Sequence, residues 1–131
     1  LIAGAEGTFT PLYDWKLPVE DKIFKVASEI YGAVSIDYQS QARRNLDMIK
    51  KIGYDKLPVC IAKTQQSLSD NPNLLGLPSN FIVTVREIKI ASGAGFLIPI
   101  TGEILRMPGL SKTPAAYNIN IDETGNIQGI V

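Results

Sequence analysis

The sequence contains no histidine, and Cys60 is its only cysteine. Without histidine, the Ser–His and Cys–His pairs that activate hydrolytic nucleophiles are excluded. A zinc site made from one thiolate and carboxylates alone is not expected. A single cysteine also forms no internal disulfide, which suits a reducing compartment. The missing residue types therefore exclude hydrolases of these kinds, and we predict no metal site.

Charge of one sign and long apolar runs are missing as well. Thirteen basic residues balance 13 acidic residues, whereas nucleic-acid-binding and polybasic membrane-surface modules need a basic surplus. No apolar run reaches the roughly 18 residues that indicate a membrane-spanning helix. Apolar residues make up 45% of the 131 residues, which is ordinary for a globular domain. We therefore predict a single domain over residues 1–131, with no nucleic-acid and no membrane partner.

Two amphipathic helices are predicted in the first half of the chain. Apolar residues recur at three- and four-residue spacing over residues 19–31 and again over residues 40–52. Gly32 and Gly53 stand just after these segments, where glycine commonly ends a helix. The second segment opens on a serine that is a candidate N-cap. Residues 1–18 are predicted to form an extended lead-in that its aromatic side chains anchor to the domain.

Strands dominate the second half. The β-branched and apolar residues at 57–62 predict a buried strand, with Cys60 as an inert core thiol. Residues 81–90 alternate in polarity and give the clearest strand signal. Residues 96–101 predict another strand, in which Pro99 indicates an edge or a bulge. Two helices packed on a mainly β half, with a single-layer sheet, place the fold in the α/β class, and α+β is the alternative.

Two further segments are predicted from turn-forming residues. Residues 63–80 form a polar stretch too long for an ordinary connector, and long ordered loops are often functional. Residues 118–121 and 127–131 predict a hairpin around a loop that contains Asp122 and Gly125. The same two residues occur in calcium-binding loops. The alternate carboxylates that such a loop needs are missing here, which favours a hairpin tip.

Two features of the predicted sheet are candidates for ligand contact. Strict alternation places Arg86 on one face of the strand with apolar residues such as Ile88. There it either binds a phosphate or carboxylate, pairs with an internal carboxylate, or reaches the sheet edge. Ser92, Gly93 and Gly95 lie in a tight turn after that strand. The turn either presents backbone N–H groups to an anion or serves only to reverse the chain. Composition favours the structural role for the turn and leaves the role of Arg86 open.

Longer motifs occur in a fixed order along the chain. They are PLY at 11–13, EIYGA at 29–33, LPVCIAKTQQSLSDNP at 57–72, TVREI at 84–88, GAGF at 93–96, RMPGL at 106–110, PAA at 114–116 and DETGNI at 122–127. Their number and order make the set specific, although each short motif alone is not. The set resembles the formate–tetrahydrofolate ligase family, also called the formyltetrahydrofolate synthetases.

The resemblance implies the C-terminal domain of a cytoplasmic, ATP-dependent ligase of one-carbon metabolism. The family joins formate to N10 of tetrahydrofolate through formyl phosphate, and its members are typically homotetramers that use ATP with Mg²⁺ and a monovalent cation. The family's phosphate-binding loop and folate-stacking aromatics lie upstream of Leu1, in domains that would be the partners of this one. We therefore expect no catalytic residue, no tightly bound cofactor and no activity in the isolated chain. The alternatives are a purely structural or oligomer-forming domain and an unrelated small-molecule-binding module.

By the same resemblance, the segment at 76–80 corresponds to the surroundings of the adenine of ATP. We extend this predicted site to the turn at 92–95, because strands bound both this turn and the segment at 76–80, and glycine lets a base or a phosphate approach the main chain. We include Arg86 as a candidate partner of a phosphate. The predicted nucleotide-contacting residues are Gly76, Leu77, Pro78, Ser79, Asn80, Arg86, Ser92, Gly93 and Gly95.

Overall fold

The computed structural model describes residues 10–104 and 112–129. Its elements are α1 (Val19–Glu29), β1 (Ser35–Tyr38), α2 (Ser40–Lys51), β2 (Ile82–Ala91), β3 (Phe96–Thr101), a 3-10 helix (Ala115–Tyr117), β4 (Asn120–Ile121) and β5 (Ile127–Gln128). One sheet has the order β1-β2-β3, with β1 parallel and β3 antiparallel to β2, and β4 pairs with β5 in a second, small sheet. This confirms the α/β class with leading helices. The start of the predicted lead-in (1–9) and the end of the predicted hairpin (130–131) lie outside the described residues.

The core forms where both helices pack on the middle of the sheet. Helix α1 contributes Val19 and Ile23, and helix α2 contributes Leu46 and Ile49, all at helical spacing and nearly or fully buried. They pack in one cluster with buried strand residues such as Ile88. Complete burial of one such side chain stabilises the fold by about 1.5–3 kcal/mol. The amphipathic pattern of the sequence therefore identifies the correct buried face of both helices.

The helix ends follow the glycine signals. Gly32 and Gly53 both adopt positive φ, at 80° and 75°, as predicted for residues just beyond a helix. The N–H of Tyr54 donates to the carbonyl of Ile49 at 3.0 Å, which closes the last turn of α2. The prediction for Ser40 is wrong, because it is the first helical residue and Gln39 takes the N-cap position without a side-chain cap bond. None of the helices in the described part of the chain is long and apolar enough to cross a membrane.

Strand β1 is an element that the sequence pattern did not predict. It is four residues long and carries the exposed Asp37, so its hydrophobic signal is short and interrupted. The register of β1 is nevertheless well defined, because Ser35 pairs with Ile82 and Tyr38 pairs with Val85 in a parallel ladder. A parallel partner far along the chain leaves no local trace in the sequence.

The predicted strand at 57–62 is an edge segment that runs parallel to β3. The N–H groups of Cys60 and Ala62 donate to the carbonyls of Leu97 and Pro99, both at 2.8 Å. Pro99 has no N–H to return, so the ladder is reduced to isolated bridges. The prediction of a core thiol is wrong, because Cys60 is exposed. Leu57, Val59 and Ile61 pack against the core cluster, and in extended backbone the side chain of Cys60 lies on the opposite side.

A β-bulge at Arg86 changes which residues of β2 face the core. Val85 pairs with Thr101 and Glu87 pairs with Ile100, so Arg86 is an extra residue without a partner on β3. The buried residues are consequently odd-numbered up to Val85, and Ile88 is buried beyond the bulge. The prediction that Arg86 shares a face with Ile88 is wrong for this reason.

Two polar contacts tie the remaining segments to the core. The fully buried Lys22 donates through Nζ to the carbonyls of Asp55 at 2.7 Å and Leu57 at 3.1 Å, which holds the connection after α2 against α1. Burial lowers the pKa of this amine. The hydroxyl of Tyr13 accepts a 3.0 Å hydrogen bond from the N–H of Val59 and anchors the lead-in, whereas Trp15 is 61% exposed.

Candidate functional site

The long loop at 63–80 is fixed by hydrogen bonds between its own residues. Ser67 and Ser69 are buried, and their hydroxyls accept the N–H groups of Ser69 at 3.0 Å and Asn71 at 3.1 Å. The N–H of Leu68 donates to the carbonyl of Gly76 at 2.8 Å. Serine and asparagine side chains commonly replace backbone partners in this way. The loop therefore has a defined conformation, which holds the residues after it in a fixed position.

The same loop is joined to the sheet through Asp70. Its Oδ2 accepts the N–H of Thr84 at 2.9 Å, at the point where β3 has ended and cannot provide a partner. The carbonyl of Asp70 approaches Gly102 so closely that a β-carbon there would lie 2.5 Å from the oxygen. Gly102 also adopts φ +65°. Glycine is required at this contact, because no other residue combines that conformation with that space.

The segment at 76–80 presents an apolar surface next to the end of α1. Leu77 is 72% exposed, and its Cδ1 would lie 3.9 Å from a β-carbon on Gly32. Pro78 is half-buried, whereas Ser79 and Asn80 are exposed. Gly76 and Asn80 both adopt positive φ, at 71° and 55°, a conformation that asparagine tolerates better than most residues. The segment therefore offers flat apolar contacts on a backbone of defined shape.

The turn at 92–95 lies at the opposite end of β2 from this segment. Ten extended residues, Ile82–Ala91, separate the two, which corresponds to about 30 Å. The N–H groups of Ala94 and Gly95 both donate to the carbonyl of Ala91 and are occupied within the turn. Gly95 adopts φ +73°, yet no atom lies within 4 Å of a β-carbon built on Gly93 or Gly95. The structure does not bring the two predicted segments together, and one nucleotide base cannot contact both.

Arg86 lies between these two ends, beside two adjoining cavities of about 330 and 390 Å³ that it lines together with Gln39 and Gly102. Its guanidinium donates from Nη1 to the carbonyl of Gly102 at 3.1 Å, and Glu103 Oε1 is 4.0 Å away. The linings also include Asp70, Glu87 and Glu103. A single guanidinium that has a carboxylate 4.0 Å away carries too little positive charge for a polyphosphate.

The residues that accompany Arg86 were missed by sequence reasoning. Gln39 reaches the cavities because β1 ends beside Arg86 and α2 begins there. Gly102 is there because β3 ends one residue earlier, at Thr101. The position of Gln39 depends on the unpredicted strand β1, and the pairing that brings Gly102 to Arg86 depends on the bulge. The only signal in the sequence was the glycine directly after a predicted strand.

A second cluster of polar groups surrounds Lys63. Its Nζ donates to the carbonyls of Thr64 at 2.7 Å and Ser67, and it lies 5.4 Å from the centre of the Tyr31 ring. Burial lowers the pKa of Lys63 and raises the pKa of the Tyr31 hydroxyl. The donors of Lys63 are directed at the start of the long loop. The amine therefore holds that loop against the end of α1.

Comparison with known proteins decides the family. The family model described as formate--tetrahydrofolate ligase matches residues 1–131. The chain belongs to the formate–tetrahydrofolate ligase family. A curated formate--tetrahydrofolate ligase from Syntrophus aciditrophicus (strain SB) is 78% identical over 130 residues, which cover 99% of this chain and 23% of the relative. The chain thus spans about a quarter of the length of that ligase.

Proposed function

We propose that this chain is the C-terminal domain of a larger, cytoplasmic formate–tetrahydrofolate ligase. The observation that supports its being part of a larger ligase is the 78% identity over 99% of the chain to a ligase of which it matches only 23%. The C-terminal position follows from the family resemblance of the sequence. The intact enzyme joins formate to tetrahydrofolate through formyl phosphate, uses ATP with Mg²⁺ and a monovalent cation, and assembles as a homotetramer. The domain supplies binding surface, and the rest of the polypeptide supplies the chemistry.

We assign no step of the reaction itself to the described residues. Phosphoryl transfer depends on a phosphate-binding loop and on metal ions that neutralise developing charge. The sequence has no G-x-x-x-x-G-K-[ST] motif. Among the residues that the structure describes, no three cysteine, aspartate or glutamate side chains are grouped as a metal site requires. We therefore derive no metal-dependent step from this chain.

The part of the nucleotide that we assign to this chain is the adenine, at Gly76–Asn80. The segment is held by the hydrogen-bonded loop before it, and Leu77 and Pro78 provide apolar surface for a flat ring. Of the other predicted contacts, the turn at 92–95 lies about 30 Å away along β2, and the guanidinium of Arg86 already contacts the carbonyl of Gly102 and the carboxylate of Glu103. We give both of these a structural role.

The assignment is tested in the intact enzyme with Leu77→Ala and Pro78→Ala. Both variants should raise the KM for ATP about fivefold to thirtyfold, which corresponds to about 1–2 kcal/mol of lost contact, and should leave kcat nearly unchanged. Ser92→Ala, in the distant turn, is the matched control and should keep the wild-type KM. The alternative, a purely structural domain, predicts lower melting temperatures and unchanged ATP kinetics for all three variants.

The isolated 131-residue chain should not form formyltetrahydrofolate from ATP, formate and tetrahydrofolate. Its purified form is assayed beside the intact enzyme at equal molar concentration. Turnover by the isolated chain would contradict the proposed division of labour between this domain and the rest of the enzyme.

A further inference from the structure

Six large apolar side chains are exposed together where β1 and β2 begin. We call this set the apolar end surface. Its exposed fractions range from 45% to 74%. Its members are Ile30, Val34, Leu74, Leu75, Leu77 and Ile82.

Backbone contacts bring the segments of this surface together. The N–H of Val34 donates to the carbonyl of Phe81 at 3.0 Å, and Ser35 pairs with Ile82, so the entries to β1 and β2 are adjacent. Leu77 lies against Gly32, just after the end of α1. The end of α1, the start of the sheet and Leu77 therefore lie side by side, and Leu74 and Leu75 precede Leu77 in the same loop.

The loop part of this surface has the low charge of an interface centre. Residues 71–80 contain no aspartate, glutamate, lysine or arginine, although charged residues make up 20% of the chain. Depletion of charge distinguishes the centre of an interface from ordinary surface. A cluster of exposed apolar side chains on a fixed backbone also marks a site that another macromolecule covers. An adenine ring next to Leu77 and Pro78 is too small to cover Ile30 and Val34 as well.

We infer that the apolar end surface is covered by the remainder of the same ligase polypeptide. The inference rests on the proposal that the chain is part of a larger ligase, of which the relative's length leaves about three quarters outside the chain. Because this partner is covalently attached, its high effective concentration allows it to cover the surface at any concentration of the protein. A second copy of this chain is the competing occupant.

The test is thiol labelling of Leu75→Cys in a Cys60→Ser background, which removes the exposed native thiol. Lys51→Cys, on the last turn of α2, is the matched exposed control. Both variants are made in the isolated chain and in the intact polypeptide, and maleimide reaction rates are measured without ATP. Circular dichroism establishes that each variant is folded.

The expected result is that both thiols react at similar rates in the isolated chain. In the intact polypeptide, the thiol at position 75 should react at least tenfold more slowly, while the thiol at position 51 keeps its rate. Equal rates at position 75 in the two proteins would overturn the inference. So would concentration-dependent protection of position 75 in the isolated chain together with a dimer on size-exclusion chromatography, since a second copy would then be the occupant.

Amide hydrogen exchange gives a second measurement that needs no substitution. Peptides that cover residues 72–82 should exchange more slowly in the intact polypeptide than in the isolated chain. The outcome is independent of the nucleotide assignment. If position 75 is protected and Pro78→Ala keeps the wild-type KM for ATP, the interface stands and the adenine contact is wrong. If position 75 is not protected and Pro78→Ala raises the KM for ATP, the adenine contact stands and only the interface is refuted.

Discussion

At Gly102 two constraints coincide that do not coincide at Gly93 or Gly95. Its φ of +65° disfavours any β-carbon, and the carbonyl of Asp70 occupies the space that a β-carbon would need. Gly95 has the positive φ without the close neighbour, and Gly93 has neither. Substitutions at the three positions therefore distinguish the cost of backbone strain from the cost of steric overlap.

Alanine substitutions at these glycines should differ in cost. Gly93→Ala should change the free energy of unfolding by less than about 0.5 kcal/mol, and Gly95→Ala should lower it by about 1–2 kcal/mol through the left-handed conformation. Gly102→Ala should lower it further, because the loop must move away from the sheet. Urea titrations followed by circular dichroism give the three values. Equal costs at positions 93 and 102 would refute the described contact with Asp70.

Individual residues were predicted well where the signal is local and poorly where it depends on pairing. The helix-ending roles of Gly32 and Gly53 follow from the conformational freedom of glycine, and the structure confirms both. The prediction that Cys60 is buried was wrong, because only the pairing of strands shows that its segment is an edge. The prediction for the environment of Arg86 was wrong, because a bulge depends on the partner strand and leaves no pattern of its own in the sequence.

Among the elements, β2 is the strand that the sequence predicted most clearly, yet the bulge within it left no signal in the sequence. Its alternating polarity identified the strand, and the structure confirms it at Ile82–Ala91. The bulge inside it separates two isoleucines that an uninterrupted strand would place on one face. Ile82 is 52% exposed, whereas Ile88 is 2% exposed and lies in the core cluster.

Truncation of these two isoleucines measures the bulge directly. Ile88→Ala should lower the free energy of unfolding by about 2–5 kcal/mol, since it removes buried methyl groups and leaves a cavity. Ile82→Ala should cost less than about 1 kcal/mol in the isolated chain. The pair is compared by denaturant unfolding under identical conditions. Similar costs for both would indicate an unbulged strand.

The β4–β5 hairpin contains the most strongly shifted carboxylate among the described residues. Hydrogen bonds from the side chain of Thr124 and the N–H of Asn126, followed by the N–H of Thr124, hold the pKa of Asp122 down to about 2. Both carboxylate oxygens of Asp122 accept hydrogen bonds within the hairpin. Asp122 therefore stabilises the tip of the hairpin.

The hairpin should consequently depend on pH in the acid range. A carboxyl in an unfolded chain titrates near 3.9, so the ionised form is favoured in the hairpin and its contribution is complete above about pH 4. The contribution should be lost as the pH falls toward about 2. The amide shifts of Thr124 and Asn126, followed by NMR from pH 5 to pH 1.5, should move with a midpoint near 2. Asp122→Asn should abolish that transition, and a midpoint near 4 would contradict the described hydrogen bonds.

For the whole molecule, periodicity and turn residues predicted most of the architecture. Both helices, β2, β3, the closing hairpin and the long loop appear in the predicted order. The parallel partner β1 and the path of residues 57–62 were beyond local patterns, because each is defined by pairing with a strand far along the chain. For the candidate site, the sequence predicted the loop before β2, whereas its distance from the turn at 92–95 follows only from the length and direction of β2. Contact of the loop with the nucleotide stays a prediction.

The parallel pairing of Ser35 with Ile82 also has a consequence for the order of folding. During synthesis, β1 and α2 leave the ribosome long before β2 exists, whereas β2 and β3 are joined by a four-residue turn. Closing the short hairpin costs little chain entropy, and closing the β1–β2 loop costs more. We therefore expect β2 and β3 to nucleate the sheet and β1 to join last. In pulse-labelled hydrogen exchange, the amides shared by β2 and β3 should gain protection before those of Ser35–Tyr38, and simultaneous protection would refute this order.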